Sequence, residues 1–423
     1  FSTMRKGFDK INDHRTGNTE ITLTDALMSG FAVFSLKDQS LLAFDERRHK
    51  APLNLKTIYG MGKIPCDTSM RTILDGVDPN DLRPLFKDAF RQLQRGKALE
   101  KMVYMDGCYL LNLDGTGYFS SHVRHNPSCM EKVRRSTGEV TYYLQMLGAA
   151  IVHPDYKEVI PLCPEMIMRQ DGDNKNDCER NAAKRFLAHL RREHPHLPLI
   201  VNEDALSSNA PHIHDLEEHG VHYILGVKPK GHKFLFQHID MASETGEAEK
   251  FVIVDKENPD IKHCFRIMND APLNESNQDV RVNFIDYKEE NTATGKIKRF
   301  SWVTDFEISH ENAMKIMRAG RARWKIENET FNTLKNQGYN FGHNYGLGKK
   351  NLSVVFVLLM MLAFLVDQIQ QFCCPLFNAL WKDGRTKRAL WEKIRYWFQG
   401  FIYESMEHMY RSILGWVTID LRE

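Results

Sequence analysis

A chain of 423 residues is longer than one small core can organise, so two or three structural units are expected. Hydrophobic residues at 42% and charged residues at 26% exclude a wholly disordered chain, and a formal net charge of +2 excludes nucleic-acid binding by bulk charge, leaving only a local basic patch for that purpose. Eight cysteines, two of them adjacent at Cys373 and Cys374, are too sparse for a disulfide scaffold and suit a reducing cytoplasm.

Residues 1–104 read as a helical region. Apolar residues recur at helical spacing over Leu23–Phe34 and Leu82–Leu93, and Pro65-Cys-Asp-Thr caps a short helix at Ser69–Leu74. Basic residues are scattered through it (Arg5, Lys6, Arg47, Arg48, Lys50, Arg91, Arg95, Lys97). They fit a solvated helical surface or a region that binds DNA ends, and the residues alone do not separate the two. The opening Phe1-Ser-Thr-Met lacks a charged-then-apolar export pattern.

The pattern then changes to strands at Tyr109–Ser120, Thr141–His153 and Val159–Met168. An amphipathic helix follows over Asp177–Arg192, then a buried-type strand at Leu197–Val201, a helix around Ile213–Glu218 and a strand at His222–Val227. Three strands, helix, strand, helix, strand is the element order of an RNase H-like mixed α/β sheet. Residues 105–232 and 301–372 are assigned to this core. Residues 233–300 read as an all-β insertion with strands at Glu249–Asp255, Ile261–Met268, Val280–Tyr287 and Ile297–Thr304. Helical spacing resumes from Glu311. The apolar run Leu352 to Val366 is shorter than the ~20 residues that span a bilayer, so it predicts a buried core helix and no membrane contact. Residues 373–423 read as a helical region contacting DNA or another subunit.

Three carboxylates stand out. Asp114 lies within an apolar strand, where a charge costs several kcal/mol unless paired or metal-bound; as Asp-Gly it also fits a hairpin turn. Asp204 follows the strand Leu197–Val201, at the carboxyl end where open α/β sheets carry functional groups. Glu327 sits in Arg323-Trp-Lys-Ile-Glu327, where Arg323, Glu327, Phe331 and Lys335 follow at steps of four on one helix face. Carboxylates are the hard oxygen ligands that Mg²⁺ takes, and two such ions cut phosphodiesters without a covalent intermediate.

Together the stretches Leu113-Asp-Gly-Thr, Asp204-Ala-Leu, Tyr223-Ile-Leu-Gly-Val-Lys and Arg323-Trp-Lys-Ile-Glu, with Phe331 and Leu334-Lys335, resemble bacterial insertion-sequence transposases of the DDE type. The last stretch resembles the tyrosine–arginine–glutamate–lysine motif of one group, which also carries a β-strand insertion. The chain departs from it twice: Gly320 stands where the tyrosine is expected, and Lys335 lies eight residues after the glutamate instead of seven. The resemblance implies Asp114, Asp204 and Glu327 as ligands of two Mg²⁺ or Mn²⁺ ions. It implies DNA contacts from Arg323 and Lys335, with Arg321 and Lys325 beside them, and offers Trp302 as an aromatic to hold a flipped base, a role that competes with that of a core tryptophan on a strand. It implies cut-and-paste transposition: binding transposon ends, cleaving them and joining the 3′-hydroxyls to target DNA, as a homodimer on double-stranded DNA in the bacterial cytoplasm and nucleoid. A nuclease without strand transfer, and a DNA-binding derivative without catalysis, are the alternatives.

Two further groups need an account. Lys228 and Lys230, in Val227-Lys-Pro-Lys-Gly-His232, fit DNA-backbone contact or a solvated loop. His122, His125 and Cys129 have loose zinc-ligand spacing but match no recognised finger, so unliganded surface histidines compete with zinc.

Overall fold

The chain is described by a computed structural model covering residues 1–17, 19–169, 177–384 and 386–417. Its first hundred residues form α1 (Ser2–Phe8), α2 (Leu23–Ser35), α3 (Leu41–Lys50), α4 (Pro52–Tyr59), α5 (Asp67–Leu74) and α6 (Arg83–Arg95). Side-chain oxygens begin two of them: Thr22 accepts from the Asp25 N–H and Ser40 from the Ala43 N–H. Every residue of α2 is buried. It packs on α12 (Leu352–Cys373), and a Cβ on Gly30 would lie 2.7 Å from Leu359 Cδ1, so glycine sets how closely the two helices approach. The Asp75 carboxylate, at the end of α5, accepts the backbone N–H groups of Lys349, Lys350, Asn351 and Leu352 and so holds the start of α12. By length and composition α12 could cross a membrane, yet 89% of its most apolar window is buried inside the protein.

The strands are β1 (Val103–Met105), β2 (Cys108–Ser121), β3 (Met130–Val133), β4 (Val140–Val152), β5 (Ile160–Pro161) and β6 (Glu165–Ile167). After α7 (Glu179–Glu193) come β7 (Leu199–Glu203), α8 (Ala210–Glu218), β8 (His222–Gly226) and α9 (Lys233–Thr245). Then follow β9 (Glu249–Val254), β10 (Ile261–Asn274), β11 (Asn277–Asn291) and β12 (Ile297–Thr304). They form one mixed sheet in the order β3-β4-β2-β7-β8-β12-β11-β10-β9, with β2, β7 and β8 parallel and the rest antiparallel. Parallel central strands with helical crossovers and antiparallel flanks are consistent with an RNase H-like α/β fold.

Three expectations change. The single strand expected over Val159–Met168 is two short ones, β5 and β6, both on β4, because Pro161 and Pro164 interrupt the ladder. Residues 233–300 are not all β: they open with α9, whose Leu235, Ile239 and Ala242 are buried at helical spacing. Nor do the strands after it stand apart, since β12 pairs with β8 and the central sheet runs on through β11, β10 and β9. β10 and β11 also extend beyond the expected bounds into a long hairpin closed at Asn274 and Asn277.

After β12 the chain is helical: α10 (Ala313–Arg321), a π-helical turn over Ile326–Phe331, α11 (Asn332–Asn336), α12, then α13 (Pro375–Asp383), α14 (Lys387–Gly400) and α15 (Met406–Ile413). Buried residues of the N-terminal helices, sheet and C-terminal helices belong to one hydrophobic cluster.

Candidate active site

Strands β2 and β7 pair in parallel up to Asn112 opposite Asn202. Two residues further along each, past the last parallel pair, stand Asp114 and Asp204. Side chains two apart on a strand share a face, so Asn-x-Asp on β2 puts its amide and acid on the same side, while Asp204 stands one residue past the end of β7. The two amides bind one helix end: Asn112 Nδ2 donates to the Ala322 and Arg323 carbonyls (2.8 and 3.2 Å) and Asn202 Nδ2 to that of Ala319 (2.7 Å). Both asparagines are fully buried. They hold the end of α10 and the segment that follows it across the sheet, and so carry Arg323 and Glu327 towards Asp114. These asparagines escaped the reading of the sequence, although Asn-x-Asp at Asn112 and Asn202 was visible there.

Arg323 joins two of the acids. One guanidinium nitrogen donates to Asp114 Oδ2 at 3.0 Å and another to Glu327 Oε1 at 2.9 Å. Asp114 Oδ1 accepts the Gly115 N–H at 2.9 Å. Burial pushes the Asp114 carboxyl up to about 6; Arg323 opposes this, while Glu327 adds to it. One turn beyond Glu327, Phe331 packs on β4, where a Cβ on Gly148 would lie 2.7 Å from its ring. Gly148 is also the residue directly across the ladder from Asp114.

Asp204 is half-buried, and its Oδ1 accepts the Leu206 N–H at 2.8 Å. Its neighbour Glu203 is buried and bound to His212 Nε2 at 2.5 Å, which explains why the outward acid is Asp204. Asp114 and Asp204 line a cavity of about 500 Å³ together with Glu179. Glu179 opens α7, and its carboxylate occupies the space that a Cβ on Gly115 would need. Burial, then Asp204 and Glu203, raise its pKa. Sequence reading assigned Glu179 only to an amphipathic helix; an acid in a first helical turn is too common to single out.

Asp204 also borders a second cavity of about 580 Å³ lined by Lys228, Phe300, Trp302, Arg321 and Arg323. Trp302 is 5% exposed and stacks on Phe300 with centroids 5.8 Å apart. Its indole fills the space a side chain at residue 320 would take. Gly320, where the resembling motif has tyrosine, is thus matched to Trp302. Gly320→Ala is expected to dislodge this rigid ring at a cost of about 1–3 kcal/mol, read as a lower thermal midpoint with altered tryptophan emission; an unchanged midpoint and spectrum would refute the packing argument.

The other expected residues scatter. Arg321 pairs with Glu289 at 2.7 Å and lies over the Phe300 ring. The Lys325 ammonium donates to the Tyr156 carbonyl at 2.5 Å and borders a separate cleft with Arg318 and His263, away from the acids. Lys230 is exposed on the loop after β8. Lys335 lines neither cavity beside the acids. The π-helical turn accounts for its spacing: such a turn takes one extra residue, so the eighth residue after Glu327 falls where the seventh would on an unbroken α-helix. Among the described residues the zinc expectation finds no ligand set. The exposed His122 ring bonds the Val140 carbonyl, His125 stacks on Tyr142 at 4.1 Å, and the buried Cys129 thiol donates to Asn126.

The acids fit hard divalent ions by chemistry. Their donors are all oxygen, and burial, with neighbouring carboxylates adding to it, raises the Asp114 and Glu179 carboxyls, a cost that a cation would relieve. Among the described residues no three His, Cys, Asp or Glu side chains yet enclose a metal position; the Arg323 guanidinium stands between Asp114 and Glu327.

The family described as transposase DDE domain matches residues 148–365. The matched stretch contains Asp204 and Glu327 and begins at the ladder partner of Asp114. No curated protein matches the chain.

Proposed function

The chain belongs to the transposase DDE domain family, whose activity is metal-dependent cutting of DNA, and on that premise we propose that Asp114, Asp204 and Glu327 are its metal-binding triad. The observation that carries this reading is one guanidinium, Arg323, bonded to both Asp114 and Glu327, with Asp204 sharing a cavity with Asp114. Two Mg²⁺ or Mn²⁺ ions held there would supply an activated water or 3′-hydroxyl and stabilise the leaving oxygen.

The chain's own groups bind and orient. The buried amides of Asn112 and Asn202 fix the third acid's segment to the strands of the first two. Arg323, its fork freed from the carboxylates, can take a phosphate in bidentate fashion. Lys228 adds positive charge on the wall of the cavity bordered by Asp204, while Trp302, packed between Phe300 and Gly320, supports that wall from within. We assign cut-and-paste transposition to this site, with ends and target held as double-stranded DNA by a homodimer. Residues 1–104 and 373–423 are proposed to contact the DNA ends or the second subunit.

The discriminating experiment supplies pre-cut ends bearing 3′-hydroxyls together with plasmid target and Mg²⁺. Joined products are expected, and none in excess EDTA. Cleavage of uncut ends without any joining would favour a nuclease; binding with neither reaction would favour a DNA-binding derivative.

A further inference from the structure

We propose that Lys335, Arg388 and Arg395 form a phosphate-binding cleft for the DNA backbone, at the meeting of the third-acid segment and the C-terminal helix α14. This rests on the transposase reading above and deepens it by giving α14 a defined contact. The cleft, about 250 Å³, is lined by these three residues with Lys37, Trp391 and amide side chains, and no carboxylate lines it. Two of its cations stand seven residues apart on α14, two turns along one face. The third, Lys335, sits on α11, just beyond the π-helical turn that carries Glu327.

The charges in this cleft are answered only in part by the protein itself. Lys37 is neutralised by the buried Asp367, and Arg388 reaches Glu392 on the exposed side of its helix. Arg395 donates to the Leu36 and Lys37 carbonyls, each at 3.3 Å. Among the described residues neither Arg395 nor Lys335 has an ion-pair partner. Burial, partly offset by Asp38, holds the Arg395 guanidinium below its ordinary pKa. Arg388 has Glu392 beside it and Asp38 lies near Arg395, so the repulsion among the three cations is relieved only in part, and an anion in the cleft would relieve the rest. Guanidinium pairs of this kind match phosphate oxygens in planar, bidentate geometry. Continuity with the Glu327 segment favours the backbone of the DNA end being processed over an acidic surface of a second copy.

Lys335→Gln and Arg388→Gln replace exposed side chains and leave the half-buried Arg395 and the buried Lys37 in place. Binding of a labelled random-sequence duplex is measured across a salt series, with thermal unfolding as the folding control. Each single variant is expected to flatten the dependence of log affinity on log salt by about one, and the double variant by about two, for every sequence alike. Wild-type slopes in all three variants would overturn the cleft while leaving the transposase reading intact. Loss of self-association with unchanged DNA slopes would overturn it in favour of a protein partner. Failure of the wild-type chain to bind duplex DNA at all would overturn both.

Discussion

Asp114→Asn is expected to abolish metal-dependent DNA cleavage and, at neutral pH, to make the metal-free protein more stable. The first effect follows if Asp114 is a ligand, because a neutral amide is a poor partner for a hard divalent ion. The second follows from the burial that pushes this carboxyl up to about 6. A carboxyl raised in the folded state binds its proton more tightly there than in the unfolded chain. Above pH 6 both states are ionised and the fold carries the cost of a buried charge. Below the ordinary carboxylate pKa both are protonated and that cost is gone. Asparagine carries no charge, and its one oxygen can accept from only one of the two donors, Arg323 or the Gly115 N–H; the lost bond costs about 1 kcal/mol, set against about 3 kcal/mol for relieving the buried charge. The variant should therefore gain about 1–3 kcal/mol at pH 7, and the gain should fade as pH falls from about 6 towards 4. Thermal or urea unfolding of metal-free protein across that range reads the effect. Cleavage that survives the substitution would refute the site assignment, and a variant less stable than wild type at pH 7 would refute the electrostatic account of it. Asp204→Ala should likewise end cleavage while leaving duplex binding largely intact.

How far the sequence could be read varied with the range of the signal. Asp114 and Asp204 were visible because they interrupt or end apolar strands, and strand ends in a parallel sheet are few. Glu327 was visible through its short Arg-Trp-Lys-Ile-Glu stretch. What joins the three was not, because it depends on pairings across the sheet: Asn112 and Asn202 become meaningful only once β2 and β7 lie side by side with those residues in register. The eight-residue step to Lys335 looked like a departure from the motif. It is absorbed by a π-helical turn, a backbone feature without a side-chain signature. Gly320 was a gap in the same motif until the Trp302 ring proved to fill it. Helix α9 was absorbed into a stretch read as strands because alternating residues follow it on both flanks of a polar turn. The strands after it were read as an insertion inside the α/β domain, and their continuation of the central sheet through β12 was not legible, since periodicity reports a strand and not its neighbour.

Replacing Asp367 with alanine should be among the most damaging single changes in the chain. Its carboxylate lies 2.5 Å from the Lys37 ammonium, and the two side chains are 4% and 0% exposed. The Tyr339 hydroxyl donates to the same carboxylate, and the ammonium also reaches the Phe34 and Ser35 carbonyls and the faces of Tyr339 and Trp391. Removing the carboxylate leaves a buried charge that two carbonyls and two rings only partly offset, a loss of about 3–5 kcal/mol. Burial already lowers the Lys37 pKa, and without Asp367 it falls further. The folded state then binds this proton more weakly than the unfolded chain, so stability should recover as pH rises towards the ordinary lysine value. Lys37→Met combined with Asp367→Leu removes both charges and should restore most of the loss. A single-variant loss below about 1 kcal/mol would show that the pair is not energetically buried. Because Lys37 lies in the turn between α2 and α3, Asp367 on α12 and Trp391 on α14, the damage should appear in one cooperative transition, with the N- and C-terminal helices melting together with the sheet.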